Sequence, residues 1–487
     1  MQRFGLSNGM QDFRAQSKFE AMRSRLLSCG AISETDYFSS SAHIAWWCDL
    51  QGAQVMSSDA KVTIPFLDTP CAPPVDSEAD SWRRWTVIGL LSLAAIIAYI
   101  SRSNIAVALA MPDFCRAFGL SETGRGTVNS AFFWPYAALQ IPAGWIVDRY
   151  GVKWPYAFGL LFWCVASAST SLVTSMEQLI ALRILVGVGE SVSVPASAKW
   201  IRLNFAERRR GLAMGLYMTG TKIGPAVGTP LAAWLIMRHN WRTMFFVVGA
   251  CGLVWLVPWL FMVTGRNGNR SRTPIKPGME KTLSFRQLLA SPVIWGTVIA
   301  TFSYMYFVYF CMTWMPAYFI ERRHLSLTQM GMYTFFSFGG MAVVAALGGW
   351  VADIAIGRGG DPVSVRKWFT ILGFVFACTE LVGARSASIH TALTFSIVSL
   401  SGLGLATANY WALTQTLIPA SAIGCVSGVQ NCAASVAGIV APIFTGWLKQ
   451  RTGSYEGPMF ACCAFLVTGV ISYIFMVNER YAPRPEL

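Results

Sequence analysis

The stretch Gly144–Lys153, which reads GWIVDRYGVK, decides the fold because part of it occurs twice in the chain. Its first five residues return with two changes as GWVAD at Gly349–Asp353, 205 residues later. A Met-Pro pair behaves in the same way, since Met111-Pro112 returns as Met315-Pro316 after 204 residues. Two pairs of matching segments at nearly the same offset indicate an internal duplication. The sequence therefore predicts two copies of one structural unit.

Apolar segments show what each unit contains. Hydrophobic residues make up 54% of the 487 residues, while Asp, Glu, Lys and Arg make up only 13%, about half the charged share of an ordinary soluble domain. A membrane-spanning helix needs about 20 mostly apolar residues, and twelve segments between residues 85 and 477 meet this criterion. The predicted fold class is an all-α membrane protein with 12 transmembrane helices in two six-helix bundles.

The formal net charge of +14 first suggests an acidic partner such as a nucleic acid, but its distribution points elsewhere. Residues 1–81 carry a net charge of −4, so the whole positive excess lies in the apolar remainder. There, 20 Lys and Arg residues fall in one set of alternate connections and 9 in the other. Because basic loops stay in the cytoplasm, we expect a multi-pass protein of the cell (inner) membrane, with both termini cytoplasmic, the lipid bilayer as its surroundings and no nucleic-acid partner.

These features divide the chain into five parts. Residues 1–81 form a polar extension without a signal-peptide pattern, and we expect a disordered tail, a small appendage or a mis-assigned start. Residues 82–264 and 290–478, called the first and second halves below, are the predicted six-helix bundles. Residues 265–289 form a cytoplasmic linker loop, and residues 479–487 form a cytoplasmic tail.

Three basic residues, Arg102, Arg183 and Lys222, fall within predicted spans rather than in connections. A charge at the bilayer centre costs at least about 2.5–3.5 kcal/mol, so these side chains must face protein or water and are functional candidates. Glu190 is the one deep carboxylate that we identify, and it shares a helix face with Arg183, seven residues earlier. Three cations against one carboxylate predict an anionic ligand that the arginines bind through forked hydrogen bonds.

The fifth span carries Gly220, Gly224 and Gly228 on one face, a pattern typical of close helix packing. Lys222 lies about 200° around the helix from Gly220, so we expect it to point away from this ridge and into a central cavity. Neutral polar side chains on other spans are candidates for binding substrate hydroxyls, with ordinary interhelical contacts as the alternative: Tyr136, Gln140, Tyr304, Tyr309, Asn409 and Asn431.

Several of these motifs match a known family. The stretch Gly144–Lys153 resembles the GxxxDRxGxK loop of the major facilitator superfamily, with a degraded second copy at Gly349–Arg358. Within that superfamily, residues 99–104, 183–190 and 309–316 resemble the anion:cation symporter family. Members of this family are sugar-acid and other organic-anion permeases, related to sialin and the vesicular glutamate transporters.

The resemblance implies a secondary transporter that imports an organic anion, such as a sugar acid or related carboxylate, together with protons by alternating access. In the family pattern Glu190 is the proton-coupling residue and Thr221 contacts the substrate. Many bacterial relatives have an aspartate before the first-span arginine, whereas Ser101 stands here, which leaves the proton stoichiometry open. The predicted substrate-binding residues are Arg102, Tyr136, Gln140, Arg183, Thr221, Lys222, Tyr309, Asn409 and Asn431.

The repeated loops have a separate predicted role. Asp148 and Arg149 can pair and cap helix ends at the cytoplasmic face, and such contacts would hold one of two conformations together. We therefore expect a conformational gate formed by Gly144, Asp148, Arg149, Asp353 and Arg358.

Other functions have less support. The sequence lacks the motifs of nucleotide loops, nucleophile elbows and zinc proteases, so we expect no enzyme activity, catalytic residue or cofactor. Its 12 cysteines and 4 histidines do not have metal-ligand spacing, so no metal is expected. A cation or drug:proton antiporter, which would place extra carboxylates in the spans, is the alternative, followed by a membrane sensor without transport. We expect a monomer whose partners are the anion and protons.

Overall fold

Helices form nearly all of the regular structure in the computed structural model, which describes residues 78–205, 207–263, 285–419 and 422–483. No β-strand occurs within those ranges. Several helices begin at a polar residue whose side chain accepts a backbone N–H from the first turn, as Ser326 does from the N–H of Gln329. Such caps satisfy N–H groups that have no partner at a helix start.

Helices occur in both of the predicted halves. The described part of the first half contains α1 (Glu78–Leu109), α2 (Pro112–Ala117), α3 (Glu122–Ser130), α4 (Phe133–Tyr150), α5 (Lys153–Ser169), α6 (Met176–Glu190), α7 (Ser193–Asn204), α8 (Glu207–Arg238), α9 (Trp241–Val254) and α10 (Leu256–Met262), with a 3-10 helix at Thr170–Leu172. From residue 285 onward come α11 (Phe285–Ala290), α12 (Pro292–Thr313), α13 (Met315–Glu321), α14 (Leu327–Gly357), α15 (Pro362–Cys378), α16 (Glu380–Arg385), α17 (Ile389–Leu417), α18 (Ile423–Thr452) and α19 (Glu456–Phe475), with a 3-10 helix at Glu479–Tyr481.

Ten helical segments in the described ranges are long and apolar enough to cross a membrane, against twelve predicted spans. The predicted second span is broken at Ala131-Phe132 into α3 and α4. The predicted fifth span is the single helix α8, whose glycines, threonines and Lys222 make it more polar than the others. The all-α membrane architecture is confirmed, while the count of twelve depends on these two polar spans.

Two lines of helix packing join the halves. The first is α8 on α14, where Pro230 lies against Gly331, and the second is α3 on α18, where Gly126 lies against Pro442. A Cβ atom at Gly126 would stand 2.3 Å from the Pro442 carbonyl oxygen, so only glycine permits this approach. These contacts hold the second predicted span against the eleventh and the fifth against the eighth. All four lie within one compact unit that runs from Arg83 onward.

Three of the predicted parts lie largely outside the described residues. The extension 1–81 is described only from residue 78, where α1 begins. The linker 265–289 is described only from Phe285, and the tail 479–487 only as far as residue 483. The predictions for these parts lie outside the described residues and stay predictions.

Candidate functional site

An ion pair between Arg102 of α1 and Glu190 of α6 forms the centre of the predicted site. The Arg102 Nε donates to Glu190 Oε2 at 2.8 Å, and the Arg102 Nη2 lies 2.7 Å from the same oxygen. Only 5% of the arginine side chain and none of the glutamate side chain are exposed. Removing one partner of such a buried pair is costly, because the remaining charge is left uncompensated. The pair joins the first and fourth predicted spans.

Aromatic rings surround the Arg102 guanidinium. Its central carbon lies 4.6 Å from the ring centre of Tyr99, 4.4 Å from that of Phe132 and 4.7 Å from that of Tyr136. Tyr136 also stacks on Phe132, with 5.2 Å between the ring centres. Aromatic faces attract cations, most strongly where water is excluded. The rings therefore hold the guanidinium in place and leave its N–H edge open to a carboxylate, which in this structure is that of Glu190.

Arg183 is a second buried cation beside this pair, with 2% of the residue exposed. Its Nη1 donates to the backbone oxygen of Ser101 at 3.4 Å, which is a long hydrogen bond. Within the described part of the chain, neither the Arg183 Nε nor the Glu190 Oε1 has a hydrogen-bond partner. One carboxylate cannot neutralise two guanidinium groups. The excess positive charge and the unused N–H group are features that a bound carboxylate would satisfy.

Lys222 connects the first half to the second. A Cβ atom at Gly224 would stand 2.4 Å from the Cβ of Tyr99, so the glycine ridge of α8 packs directly on α1. The Lys222 Nζ donates to the hydroxyl of Tyr304 on α12 at 3.4 Å, and that hydroxyl lies 2.8 Å from the Thr407 Oγ1. The lysine therefore reaches from one half to the other, in the direction that the helical spacing predicts.

Two further pairs of predicted or neighbouring residues meet across the halves. The Asn431 Nδ2 of α18 donates to the Gln140 Oε1 of α4. The ring of Tyr309 on α12 packs against that of Phe133 on α4, with 4.6 Å between the ring centres. These contacts place amide and phenol groups at the boundary between the halves.

Two predicted substrate contacts bond within their own helices instead. The Thr221 hydroxyl donates to the carbonyl oxygen of Met218, and the Asn409 amide donates to that of Leu405. The structure therefore sorts the predicted residues into three groups. One central cluster contains Arg102, Tyr136, Arg183 and Glu190. A second group lies at contacts between the halves and contains Gln140, Lys222, Tyr309 and Asn431. The third group is Thr221 and Asn409, each of which bonds to a carbonyl oxygen in its own helix.

The predicted gate aspartates form ion pairs inside their own halves. Asp148 lies 3.0 Å from the Lys199 Nζ, and Asp353 lies 3.1 Å from the Arg366 guanidinium. The expected pairing of Asp148 with Arg149 is not observed, because the Arg149 guanidinium lies over two neighbouring aromatic rings. Both aspartates are largely exposed, and exposed pairs contribute only about 0–1 kcal/mol. The two motifs tie α4 to α7 and α14 to α15.

Gly144 and Arg358 are the remaining gate predictions. A Cβ atom at Gly144 would stand 4.0 Å from the Cβ of Pro195 on α7, so this glycine lies at the same α4–α7 contact as Asp148. Arg358 follows the last residue of α14 as its C-cap, with its N–H bonded to the Ile354 carbonyl. Gly144 therefore lies at a helix contact and Arg358 at a helix end, and their role in a gate stays a prediction.

A charged cluster that the sequence analysis did not identify joins the two halves. It consists of Glu122 and Arg125 of α3 with Glu321, Lys449 and Tyr455 of the second half, and we call it the junction cluster. Arg125 lies 2.7 Å from Glu321 and 3.0 Å from Glu122, and Lys449 lies 2.9 Å from Glu122 and also pairs with Glu321. The Tyr455 hydroxyl donates to Glu321 at 2.7 Å. Each acid therefore contacts both bases.

Burial distinguishes the junction cluster from a surface ion pair. Arg125 and Lys449 have only 5% and 9% of their side chains exposed. Burial alone would raise the pKa of the Glu321 carboxyl, but the charges of Arg125 and Lys449 outweigh it and hold that pKa below its ordinary value. Beside the cluster, the Trp314 indole N–H donates to the Pro442 carbonyl oxygen at 3.1 Å. The halves are thus joined at the end that the loop charges predict to lie outside.

Opposite charges at the outer ends of the second, seventh and eleventh predicted spans were the available sequence signal for this cluster. The ion pairs Arg125–Glu321 and Glu122–Lys449 bridge residues far apart in the chain. Their partnership follows from the packing of α3 on α18, which a single sequence does not reveal. Assigning these charges only to membrane orientation therefore overlooked their second role.

Glu380 is a second buried carboxylate, so the expectation of one deep carboxylate is wrong. Only 2% of the residue is exposed. Its two carboxyl oxygens lie 2.8 Å from the Ser396 hydroxyl and 2.6 Å from the Ser399 hydroxyl, both on α17. The helix breaks between Cys378 and Glu380, which places this side chain at the start of α16. Its position inside the predicted ninth span was the signal that could have identified it.

Known proteins resemble this chain along most of its length. Residues 91–442, which include all of the predicted substrate contacts, match the model of the Major Facilitator Superfamily. The chain is 27% identical over 427 residues to a D-galactonate transporter of Escherichia coli, which covers 83% of this chain and 98% of the relative. It is 29% identical over 392 residues to a hexuronate transporter of Bacillus subtilis, which covers 79% of this chain and 90% of the relative.

A solved structure has the same fold. It is that of a bacterial homolog of the human lysosomal transporter Spinster, in an inward-facing and unoccupied conformation. The TM-score is 0.71, and the match covers 82% of this chain and 98% of that chain at 17% identity. At this identity the likeness concerns the fold alone, and it agrees with the all-helical architecture predicted from the repeats.

Proposed function

The chain belongs to the major facilitator superfamily, and from that premise we propose that it imports a small organic anion by proton symport and alternating access. Proteins of this superfamily are membrane transporters and not enzymes. The two relatives described above transport galactonate and hexuronates. A sugar acid or related carboxylate is therefore the proposed substrate class, and the proposed location is the cell inner membrane, with both termini in the cytoplasm.

One observation carries the proposal, namely that two buried arginines lie near one buried carboxylate, which pairs with only one of them. Glu190 pairs with Arg102 through a single oxygen, while Arg183 keeps an N–H group without a partner in the described residues. A carboxylate matches the forked N–H groups of a guanidinium, and sugar hydroxyls match amide and phenol groups. A bound anion would balance the excess positive charge of this site, whereas a bound cation would increase it. The geometry thus supports an anion symporter over a cation antiporter.

Competition for Arg102 provides the proposed coupling between proton and anion. While Glu190 is ionised it occupies the Nε and Nη2 groups of Arg102, and an incoming carboxylate competes with it for that edge of the guanidinium. A proton on Glu190 removes the negative charge from the pair, so the guanidinium becomes available to the substrate. The proton and the anion then favour each other's binding, as symport requires.

Alternating access requires the two halves to separate at one end at a time. The junction cluster joins the halves at the end predicted to lie outside, through the pairs Arg125–Glu321 and Lys449–Glu122. The solved structure with the same fold has an inward-facing conformation. We therefore assign the present conformation to the state that is closed outside, from which the anion leaves into the cytoplasm.

Uptake by the full-length protein in proteoliposomes tests this proposal. The panel consists of galactonate, glucuronate, an aromatic acid, inorganic phosphate and an organic cation, each with and without a pH gradient. We expect uptake of a sugar acid that an inward proton gradient drives above equilibrium. Arg102→Gln should abolish this uptake, whereas Arg116→Gln, in an exposed pair with Asp113, should not. Transport of the cation and of no anion would overturn the proposal.

A further inference from the structure

Glu380 opens α16 in the second half and takes no part in the site described above. Only 2% of the residue is exposed. It lines a small cavity, with open space for about one water molecule, together with the hydroxyl-bearing residues Thr334, Ser337 and Ser396. A buried carboxylate is unfavourable unless a cation or a proton neutralises its charge.

The groups that face Glu380 do not form an ion pair with it. Arg323 is near enough to influence the charge state of Glu380. Its guanidinium, however, donates to the Tyr318 hydroxyl and to three backbone carbonyl oxygens at the end of α16. Helices α12 and α19 contribute thiols that have no positive charge to offer: Cys311, Cys462 and Cys463. Within the described residues no cation lies in ion-pair distance of Glu380.

The contacts around Glu380 can all be full hydrogen bonds at once when the carboxyl group is neutral. The Ser396 hydroxyl donates to one Glu380 oxygen at 2.8 Å. The Ser399 Oγ lies 2.6 Å from the other Glu380 oxygen and 3.1 Å from the Ser396 backbone oxygen. The single hydroxyl proton of Ser399 cannot serve two acceptors fully. A protonated Glu380 resolves this, because it donates to the Ser399 Oγ, which then donates to the Ser396 carbonyl.

We propose that Glu380 is a proton-binding site of the second half and that its proton is carried in each transport cycle in addition to the proton on Glu190. The inference rests on the proposed function, since it adds a proton to the same symport cycle. The cavity beside Glu380 connects it to the movement of the halves. Thr334 and Ser337, which line the cavity, lie on α14, the helix that packs against α8 of the first half. Separation of the halves therefore changes the access of water to the carboxyl group.

Infrared difference spectroscopy of the full-length protein tests whether Glu380 carries a proton. We expect the wild-type spectrum minus the Glu380→Gln spectrum at neutral pH to contain a carboxylic-acid carbonyl band that shifts in D2O. Ser399→Ala removes the acceptor of the acid proton and should shift the same band. A glutamine preserves a donor and an acceptor at this position, so the fold is retained. A difference spectrum with carboxylate bands alone would overturn the proposal.

Accumulation of the transported sugar acid tests whether this proton is coupled. With the membrane potential clamped at zero, each coupled proton changes the accumulation ratio about tenfold per pH unit. We expect Glu380→Gln to lower the ratio by about tenfold per pH unit and to keep substrate exchange without a gradient, while Glu177→Gln, at an exposed glutamate of α6, keeps the wild-type ratio. If the pH gradient drives uptake by the wild type but the accumulation ratio of Glu380→Gln is unchanged, the role of Glu380 is overturned and proton symport is not. A wild type that ignores the pH gradient overturns proton symport itself.

Discussion

The guanidinium of Arg102 and the carboxylate of Glu190 lie 2.7 Å apart, in an interior where 5% of the first side chain and none of the second are exposed. The candidate anion-binding group and the candidate proton carrier are therefore one ion pair. A ligand carboxylate that binds the Nε and Nη2 groups of Arg102 competes with Glu190. This relationship links substrate binding to protonation and leads to the first prediction.

Substitution of the proton carrier should weaken coupling without preventing substrate binding. Glu190→Gln keeps the side-chain shape and removes the charge that competes for Arg102, so we expect substrate exchange without a gradient to persist. The accumulation ratio should fall by about tenfold per pH unit, because one coupled proton is lost. Counterflow and gradient-driven uptake in proteoliposomes measure the two effects. Full dependence of this variant on the pH gradient would contradict the role of Glu190.

Loss of the second arginine should weaken affinity for the anion. A hydrogen bond to a charged group contributes about 1.5–3 kcal/mol, so Arg183→Gln should raise the KM for the sugar acid by about 10- to 100-fold. The physical reason is the loss of one guanidinium whose Nε has no other partner in the described residues. Initial uptake rates over a range of substrate concentrations give the KM. The exposed variant Arg116→Gln serves as the control, and an unchanged KM in Arg183→Gln would contradict the assignment.

A covalent link across the junction should lock the conformation that is closed outside. The Thr123 hydroxyl donates to the Gln450 Oε1 at 2.6 Å, which places these side chains in contact between α3 and α18. We expect the double variant Thr123→Cys and Gln450→Cys to lose transport on oxidation and to regain it on reduction. Each single variant controls for oxidation of the native cysteines. Full transport by the cross-linked protein would show that the junction need not open.

The junction cluster should be insensitive to pH across the physiological range. Because Arg125 and Lys449 lower the Glu321 pKa below 4.5, the stability that this carboxylate contributes is present above its ordinary pKa and is lost only as the pH falls through the lowered value. We expect Glu321→Gln to lower the midpoint of thermal unfolding by the same amount at about pH 6 and pH 8. Glu456→Gln, at an exposed neighbouring glutamate, should have little effect. A loss confined to the higher pH would indicate a raised pKa instead.

The exposed Asp148 motif, which is predicted to face the cytoplasm, should affect turnover more than affinity. Asp148 ties α4 to Lys199 of α7 at 3.0 Å and lies apart from the Arg102 cluster, so Asp148→Asn should lower the maximal uptake rate several-fold and leave the KM largely unchanged. Concentration-dependent uptake separates the two parameters. A change in KM alone would place Asp148 at the substrate site instead of the gate.

Periodic features were predictable from the chain alone, because they depend on the intrinsic geometry of a helix. The glycine ridge that includes Gly224 was expected to pack on a neighbour, with Lys222 on the other side, and the structure has both features. The placement of Arg183 and Glu190 on one face of the same helix follows from 3.6 residues per turn in the same way. Hydropathy and the repeated motif were sufficient for the all-α membrane fold.

Pairings between distant residues were not predictable, because they depend on how helices cross. The sequence predicts a pair of Asp148 with Arg149, yet the partner of Asp148 is Lys199. It predicts no partner for Glu122 or Arg125. The partners of Glu380 were not predictable either, because Ser396 and Ser399 lie on a different helix, α17.

Residue patterns alone were sufficient for the helical membrane fold and for the short set of charges that must avoid lipid, and they predict the duplication and the orientation. Each follows from local hydropathy, helical period or loop charge, which act on neighbouring residues. Only the tertiary structure decided that Glu190 pairs with Arg102, that Arg125 and Glu321 join the halves, and that Glu380 is surrounded by hydroxyls. The physical reason is that an ion pair or hydrogen bond needs its atoms within about 3 Å, a condition that helix packing sets and residue spacing does not.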